Sequence, residues 1–166
     1  MNNRKLPIGI QSFEKLRKNN MLYVDKTEYI YELVHSGIPY FLSRPRRFGK
    51  SLLLSTLKAY WEGKRELFTG LAIEKLEKDN DEAWQPYPIF YFDLNREGYQ
   101  RENALEEVLD TCLHEWEEVY GCEDAGKSLA VRFQNLLKRA SEQTGKFCVV
   151  LIDEYDKPLL DTIDDQ

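Results

Sequence analysis

An α/β fold in which helices cover both faces of a mainly parallel sheet is predicted by three features of this 166-residue sequence. Residues 38–42, 87–94 and 147–152 are short, nearly continuous apolar runs, the pattern of strands buried on both faces. Segments with helical spacing of apolar residues separate these runs, and strands connected through helices pair in parallel with right-handed crossovers. The composition supplies the core that such a fold needs: ten Tyr, eight Phe and three Trp accompany a hydrophobic fraction of 42%, which argues against disorder. The length suits one domain, residues 1–166, with a single core.

The elements follow in order. A first short helix runs from Ser12 to Lys18 and breaks at Asn19-Asn20. Asp25 or Thr27 then caps a second helix, in which Tyr29, Ile30, Tyr31, Leu33 and Val34 supply apolar faces before Gly37 ends it. Pro39 brings no N–H to the first apolar run, so pairing is expected to start after it. A loop spans residues 43–48. Gly49-Lys50-Ser51 opens a helix whose Leu52, Leu53, Leu54, Leu57, Tyr60 and Trp61 recur at helical spacing as far as Gly63. Residues 66–86 are mixed and charged, and only a turn at Thr69-Gly70 and a polar loop at 78–81 stand out. After the second apolar run and a turn at 95–98, Leu105, Val108, Leu109, Cys112, Leu113, Trp116, Val119 and Tyr120 mark a long amphipathic helix that stops at Gly121. Ser128 caps a further helix through Phe133, Leu136, Leu137 and Ala140, Gly145 stops it, and the third apolar run follows.

Charge and cysteine content exclude several functions. With 23 Lys and Arg against 29 Asp and Glu, a net charge of −6, the chain lacks general electrostatic affinity for nucleic acid or anionic lipid, and any anion must be caught locally. Cys112, Cys122 and Cys148 form no C-x-x-C, and His35 and His114 sit at no metal-ligand spacing, so buried thiols and ordinary histidines are expected. The aliphatic run at 148–152 falls far short of the roughly 20 residues that cross a bilayer. The N-terminus has no apolar stretch or cleavage site of a signal peptide. The expectation is a cytoplasmic protein with no membrane partner.

Two motifs lie where chemistry gathers in parallel sheets, just beyond the carboxyl ends of strands. The first is Arg44-Pro45-Arg46-Arg47-Phe48-Gly49-Lys50-Ser51, between an expected strand and an expected helix. It matches the phosphate-loop pattern G-x-x-x-x-G-K-[ST] except that Arg44 stands at the first glycine. In such a loop successive backbone N–H groups, here from Arg46, Arg47, Phe48, Gly49, Lys50, Ser51 and Leu52, surround a phosphate chain at the positive end of the helix. Gly49 lets the backbone approach, Lys50 reaches the β- and γ-phosphates, and Ser51 ligates Mg²⁺. A helix that merely begins with Gly-Lys-Ser behind a solvated basic turn is the structural alternative. The cations Arg44, Arg46, Arg47 and Lys50 also suit a nucleic-acid contact.

The second motif is the apolar run at 147–152 ending in Asp153-Glu154, a Walker B arrangement. Asp153 would hold Mg²⁺ through its water shell, and Glu154 would polarise the water that attacks the γ-phosphate. Judged alone, an Asp-Glu pair is as well explained as a solvated strand end; downstream of a strand-loop-G-K-S-helix it points to nucleotide binding. Beyond it, Asp156 assists the metal shell or Lys157 pairs with a carboxylate, against the alternative of a solvated turn stopped by Pro158.

Four blocks together carry a likeness: Ile8-Gly9-Ile10-Gln11 with Phe13, Leu22-Tyr23-Val24-Asp25-Lys26-Thr27, residues 43–52, and Leu151-Ile152-Asp153-Glu154-Tyr155-Asp156. In this order they resemble the AAA-ATPase-like family of bacterial and archaeal P-loop proteins, whose members carry the same R-P-R-R-F-G-K-S loop. The resemblance implies a P-loop NTPase-type three-layer sandwich that binds ATP with Mg²⁺. It places Gly49, Lys50 and Ser51 in the phosphate loop and Asp153 and Glu154 at the acidic strand end. Catalysis falls to Lys50 and Glu154. The block at 23–27 lies where relatives of this type put base and ribose, with Tyr23 either a base contact or core.

Longer relatives often add a nuclease-like domain, through which nucleic acid becomes a partner, and self-association is a further expectation. Few residues follow Glu154, so the sheet is expected to stop after the acidic strand, short of the strand that carries the next polar sensor group. Binding is then expected to survive better than turnover, since a displacement of about 1 Å costs roughly a hundredfold in rate. Three readings follow: Mg²⁺-dependent ATP hydrolysis coupled to a macromolecular action, a nucleotide-gated module without appreciable turnover, and a nucleic-acid-binding element built on the arginines of the loop.

Overall fold

The computed structural model describes residues 4–43, 45, 47–95, 98–123 and 126–163. The chain forms two compact units, Met1–Pro86 and Tyr87–Gln166, each with its own hydrophobic cluster. A single core was the expectation from length. The aromatic side chains instead gather into separate groups on either side of Pro86.

The described part of the first unit is helical. It contains α1 (Phe13–Lys18), α2 (Thr27–His35), α3 (Lys50–Trp61), a 3-10 turn at Arg65–Phe68 and α4 (Ala72–Leu76). Ser12 caps α1, its Oγ accepting from the Lys15 amide at 3.3 Å. Phe13, Ile30, Ala59, Tyr60, Leu67, Phe68, Leu71 and Ile73 form the buried cluster. Phe68 is its centre, with ring centroids 4.9 Å from both Phe13 and Trp84. Gly63 ends α3 with φ of +73°, and a Cβ there would lie 2.5 Å from the Trp84 carbonyl oxygen, so the return of the chain past α3 requires glycine.

Polar staples hold this unit where sequence spacing showed nothing. Asp25 accepts from the Thr27 amide and hydroxyl at 2.9 and 2.7 Å through one oxygen and from the Ala72 amide at 2.7 Å through the other. The Thr27 hydroxyl accepts from the Ile73 amide at 3.1 Å. These two residues thus satisfy the start of α4, a distant helix, as well as that of α2. Glu77, 3% exposed, accepts from the Tyr60 hydroxyl at 2.6 Å and from Asn80 Nδ2 at 2.7 Å, and meets His35 Nε2 at 2.8 Å. The opaque segment after residue 65 is therefore fixed by partners remote in sequence.

Residues 38–42 do not form the expected buried strand. They take no strand conformation, and Ile38, Tyr40, Phe41 and Leu42 are 61, 57, 72 and 40% exposed. A parallel strand exists only through a hydrogen-bonded neighbour. The described residues of this unit offer no strand to pair with, and Pro39 removes one donor.

The second unit carries β1 (Ile89–Asp93), α5 (Ala104–Tyr120), α6 (Leu129–Thr144), β2 (Val149–Asp153) and α7 (Lys157–Ile163). β1 and β2 pair in parallel, Ile89 opposite Val149 and Asp93 opposite Asp153, and the connection between them is α5 and α6. Phe90, Phe92 and Leu94 pack against Cys112 and Leu113 of α5 and Leu136 and Ala140 of α6. Trp116 stands edge-on to Phe90 and Phe92, with centroids 5.0 and 4.9 Å away. Gly145 closes α6 in the left-handed conformation that the sequence signal anticipated. Cys112 is buried, Cys148 half-buried and Cys122 exposed, so the expectation of buried thiols fails at Cys122.

The mixed α/β class holds, with a two-stranded parallel sheet and seven α-helices among the described residues. Burial of both sheet faces does not extend to β2, where Val150 and Ile152 are 40 and 47% exposed. By register they share a face with Phe90 and Phe92, but β2 has no second ladder partner among the described residues. A further difference lies after the acidic strand end, where the expected alternative of a solvated turn is replaced by α7. Pro158 occupies its first turn, a position that needs no N–H donor. Among the described residues no helix is long and apolar enough to cross a membrane.

Arg132 of α6 is ion-paired with two carboxylates of α5. Arg132 donates Nε and Nη2 to the two carboxylate oxygens of Glu117 at 2.9 and 2.8 Å and also bonds Asp110. The Arg132 bonds hold the Glu117 carboxyl below its usual range. Removing one partner of a buried pair strands the other charge. Arg132→Ala is therefore expected to lower the unfolding free energy by about 3–5 kcal/mol in a urea titration. Lys138→Ala, at an exposed pair with Glu142, should change it by about 0–1 kcal/mol.

Glu14 sits between Lys18 at 2.6 Å and Lys64 at 2.7 Å, and these bonds pull its carboxyl from 4.5 to about 2. A carboxyl depressed in the folded state stabilises the fold above its ordinary range, and that contribution fades as pH falls through the folded value. The urea midpoint should thus drop between pH 4.5 and about 2, and Glu14→Gln should make that drop shallower.

Candidate nucleotide-binding site

The phosphate-loop motif lies in the first unit, at the start of α3. Arg44 and Arg46 lie outside the described residues. Arg47 and Gly49 both have positive φ, +67° and +80°, so the chain makes a tight left-handed turn on each side of Phe48. The Phe48 amide donates to the Pro45 carbonyl at 3.4 Å, and the Phe48 ring is 69% exposed. Gly49 is the N-cap of α3, its carbonyl accepting the first helical bond from Leu53 at 2.9 Å.

The amides of Lys50, Ser51 and Leu52 find no acceptor among the described residues, as a helix start dictates. They leave a row of donors at the positive end of a twelve-residue helix. Lys50, Ser51 and Leu52 are half-buried. Leu52, Leu53 and Leu57 pack against the first core, and the Ser55 hydroxyl accepts from the Phe13 amide at 2.9 Å. The loop is thus carried on a helix held by α1 and by aliphatic packing.

The acidic strand end lies in the second unit. Asp153 closes β2 opposite Asp93 and is 6% exposed. Its Oδ2 accepts from the Tyr91 hydroxyl at 3.2 Å and its Oδ1 from the Glu154 amide at 3.0 Å. Burial, and after it the Asp153 charge, pushes the Tyr91 phenol well above its ordinary range, which keeps it a neutral donor. Glu154, half-buried, has φ of +51°, the left-handed step that ends the strand. Its carbonyl accepts from the Lys157 amide at 3.0 Å as the chain turns into α7.

Asp93 is exposed, and its Oδ1 accepts from the Asn95 amide at 3.0 Å. One Asp156 oxygen is buried without a hydrogen-bond partner among the described residues. Lys157 does pair with a carboxylate, Asp161, at 2.6 Å along α7.

The block at 23–27 has a structural role. The Tyr23 ring packs edge-on to Phe13 with centroids 5.3 Å apart, against the first core, and burial raises its phenol. Of the two readings of Tyr23, base contact or core, this packing matches the core. Asp25 and Thr27 serve the helix starts described above. Tyr91 escaped the sequence reading: its position two residues before Asp93 carries no signal until the register puts it beside Asp153.

Each candidate ligand, taken by itself, is of a kind that Mg²⁺ accepts. Among the described residues no group of His, Cys, Asp and Glu side chains forms a complete metal cage. Mg²⁺ does not ask for one, because it keeps several waters and is bound through one or two carboxylates and phosphate oxygens. Asp153 accepts one donor on each oxygen and keeps further lone pairs. The Ser51 hydroxyl likewise remains available, and it bonds no described residue.

Gly49 offers a direct test of the loop conformation. A Cβ there would meet nothing within 4 Å, so the cost of Gly49→Ala is purely that of the left-handed backbone, about 1–2 kcal/mol. Chemical denaturation should show that loss.

Residues 7–166 match the AAA-ATPase-like family, described as "Predicted AAA-ATPase". The chain is also 38% identical over 164 residues to a protein of Azotobacter chroococcum mcd 1 named "Uncharacterized protein in vnfD 5'region". That alignment covers 98% of this chain and 31% of the relative, so the chain spans about a third of the relative's length. No solved structure matches. The matched span takes in the loop of the first unit and the acids of the second, and the chain belongs to the AAA-ATPase-like family.

Proposed function

We propose that the chain binds ATP with Mg²⁺ and, in the intact protein, hydrolyses it, with the energy coupled to work on a macromolecule. The observation that carries this reading is the start of α3: amides without an acceptor among the described residues follow a left-handed Gly49 at the N-terminus of a helix whose first residue is Lys50. Such an array recognises a phosphate chain through backbone donors and the helix dipole. Family membership supports nucleotide binding in general, and adenine as the base.

In this reading the loop at residues 46–52 holds the β- and γ-phosphates through its free amides, and the Lys50 ammonium neutralises the charge that develops between them. Ser51 of the first unit and Asp153 of the second would each serve as a metal ligand, Asp153 through water. Glu154 takes the proton of the attacking water or orients it, with its carboxylate in place as base. Mg²⁺, when bound, supplies electrostatic stabilisation of the phosphate oxygens. A P-loop sandwich is part of the proposal.

The exposed state of residues 38–42 favours a second reading for this chain, nucleotide binding without efficient turnover. The segment leads directly into the loop, and positioning errors of about 1 Å cost roughly a hundredfold in rate.

Fluorescence titration with a mant-labelled ATP, with and without Mg²⁺, tests both readings. Lys50→Ala should weaken binding at least tenfold, and equal affinity in the parent and this variant would reject the phosphate-loop assignment. Glu154→Gln should keep the affinity and lose phosphate release. Retained affinity in a parent that releases no phosphate would establish the binding-only reading.

A further inference from the structure

The ladder of the second unit puts a phenol beside the acidic strand end. Tyr91 lies opposite Leu151 in β1, and Asp153 is the next residue of β2 on the same face. A side chain as long as tyrosine, leaning along the strand, spans that step, and its hydroxyl donates to Asp153 Oδ2 at 3.2 Å. Asp93, directly opposite Asp153, is occupied with its own turn at Asn95. Among the described residues the donors to Asp153 are the Tyr91 hydroxyl on one oxygen and the Glu154 amide on the other. The amide is backbone and persists whatever occupies position 91. Tyr91 is the side chain of the pair.

We propose that Tyr91 is a positioning residue whose hydroxyl fixes the Asp153 carboxylate in the orientation that receives a hydrated divalent cation. The terminal torsion of an aspartate is broad, so a carboxylate held at one oxygen swings, while one held at both presents its remaining lone pairs in a constant direction. Partners that orient a metal-binding carboxylate typically account for about 10–100-fold in metal affinity. The inference rests on the nucleotide reading above, because it needs Asp153 to serve Mg²⁺. It adds a residue that neither the loop motif nor the acidic pair contains.

The test uses the full chain, mant-labelled ATP and MgCl₂, with each protein measured well below its own unfolding midpoint. Tyr91→Phe keeps the ring and removes the donor. It should raise the half-saturating Mg²⁺ concentration for nucleotide binding about 10–100-fold and leave the Mg²⁺-free affinity unchanged. Asp153→Asn should also raise the Mg²⁺ requirement, and Tyr91→Phe added to Asp153→Asn should produce no further rise, since the phenol acts through the carboxylate.

An unchanged Mg²⁺ requirement in Tyr91→Phe, with a raised one in Asp153→Asn, would overturn the role of Tyr91 and leave the nucleotide reading standing. Equal loss of affinity with and without Mg²⁺ would also overturn it, assigning Tyr91 to structure. Additive effects in the double variant would separate Tyr91 from Asp153, with the same consequence. Parent binding indifferent both to Mg²⁺ and to Asp153→Asn would instead sink the metal assignment, and this inference with it.

Discussion

The parallel pairing of β1 with β2 is the constraint on which the acidic strand end depends. The Asp93–Asp153 register brings two strands to a common carboxyl end and sets Tyr91 one step from a carboxylate that is almost wholly withdrawn from water. A buried carboxylate without donors is costly. Here the phenol and the next backbone amide meet that requirement, so the same ladder that buries the charge also supplies the groups that make its burial tolerable. The helices α5 and α6 complete the crossover and cover Phe90 and Phe92, which commits the strand to this face and therefore to this register.

The first unit works by a different principle. Its helices α1 and α4 are short, and a helix of five or six residues has little stability of its own. Burial of the Phe13, Tyr60 and Phe68 rings brings the helices together. Polar contacts with specific partners then decide their positions. Glu77 is withdrawn from solvent and receives the Tyr60 hydroxyl from α3 and the His35 ring from α2, while Asp25 and Thr27 reach the start of α4. Since α3 begins at Lys50, these contacts also determine how firmly the candidate phosphate loop is mounted.

Much of this was legible from spacing. The long helix after Leu105 repeats its apolar residues over several turns, and α5 forms where that stripe lies. Gly63, Gly121 and Gly145 mark helix ends because each takes positive φ, a conformation that other residues rarely adopt. The Gly49-Lys50-Ser51 helix start and the Asp153 strand end were readable because each is a local motif on a local element. Residues 38–42 were misread for a physical reason: their apolar pattern is that of a strand, but a strand is a relation between two chain segments, and the pattern says nothing about whether the neighbour is present. Residues 66–86 were unreadable for the opposite reason, since their helices are held by Asp25, Thr27 and Tyr60 and not by their own periodicity.

By itself the sequence determined the local events: where helices start and stop, which faces are apolar, and which two motifs are candidates for phosphate and metal chemistry. These depend on backbone preference and on side chains a few residues apart. Tertiary structure alone decided that the aromatic residues divide between two cores, that Tyr23 joins one of them, and that Tyr91 meets Asp153. Each of those outcomes requires groups distant in the chain to find one another, and hydrogen-bond geometry over about 3 Å is specified by register and packing, which no single stretch of sequence contains.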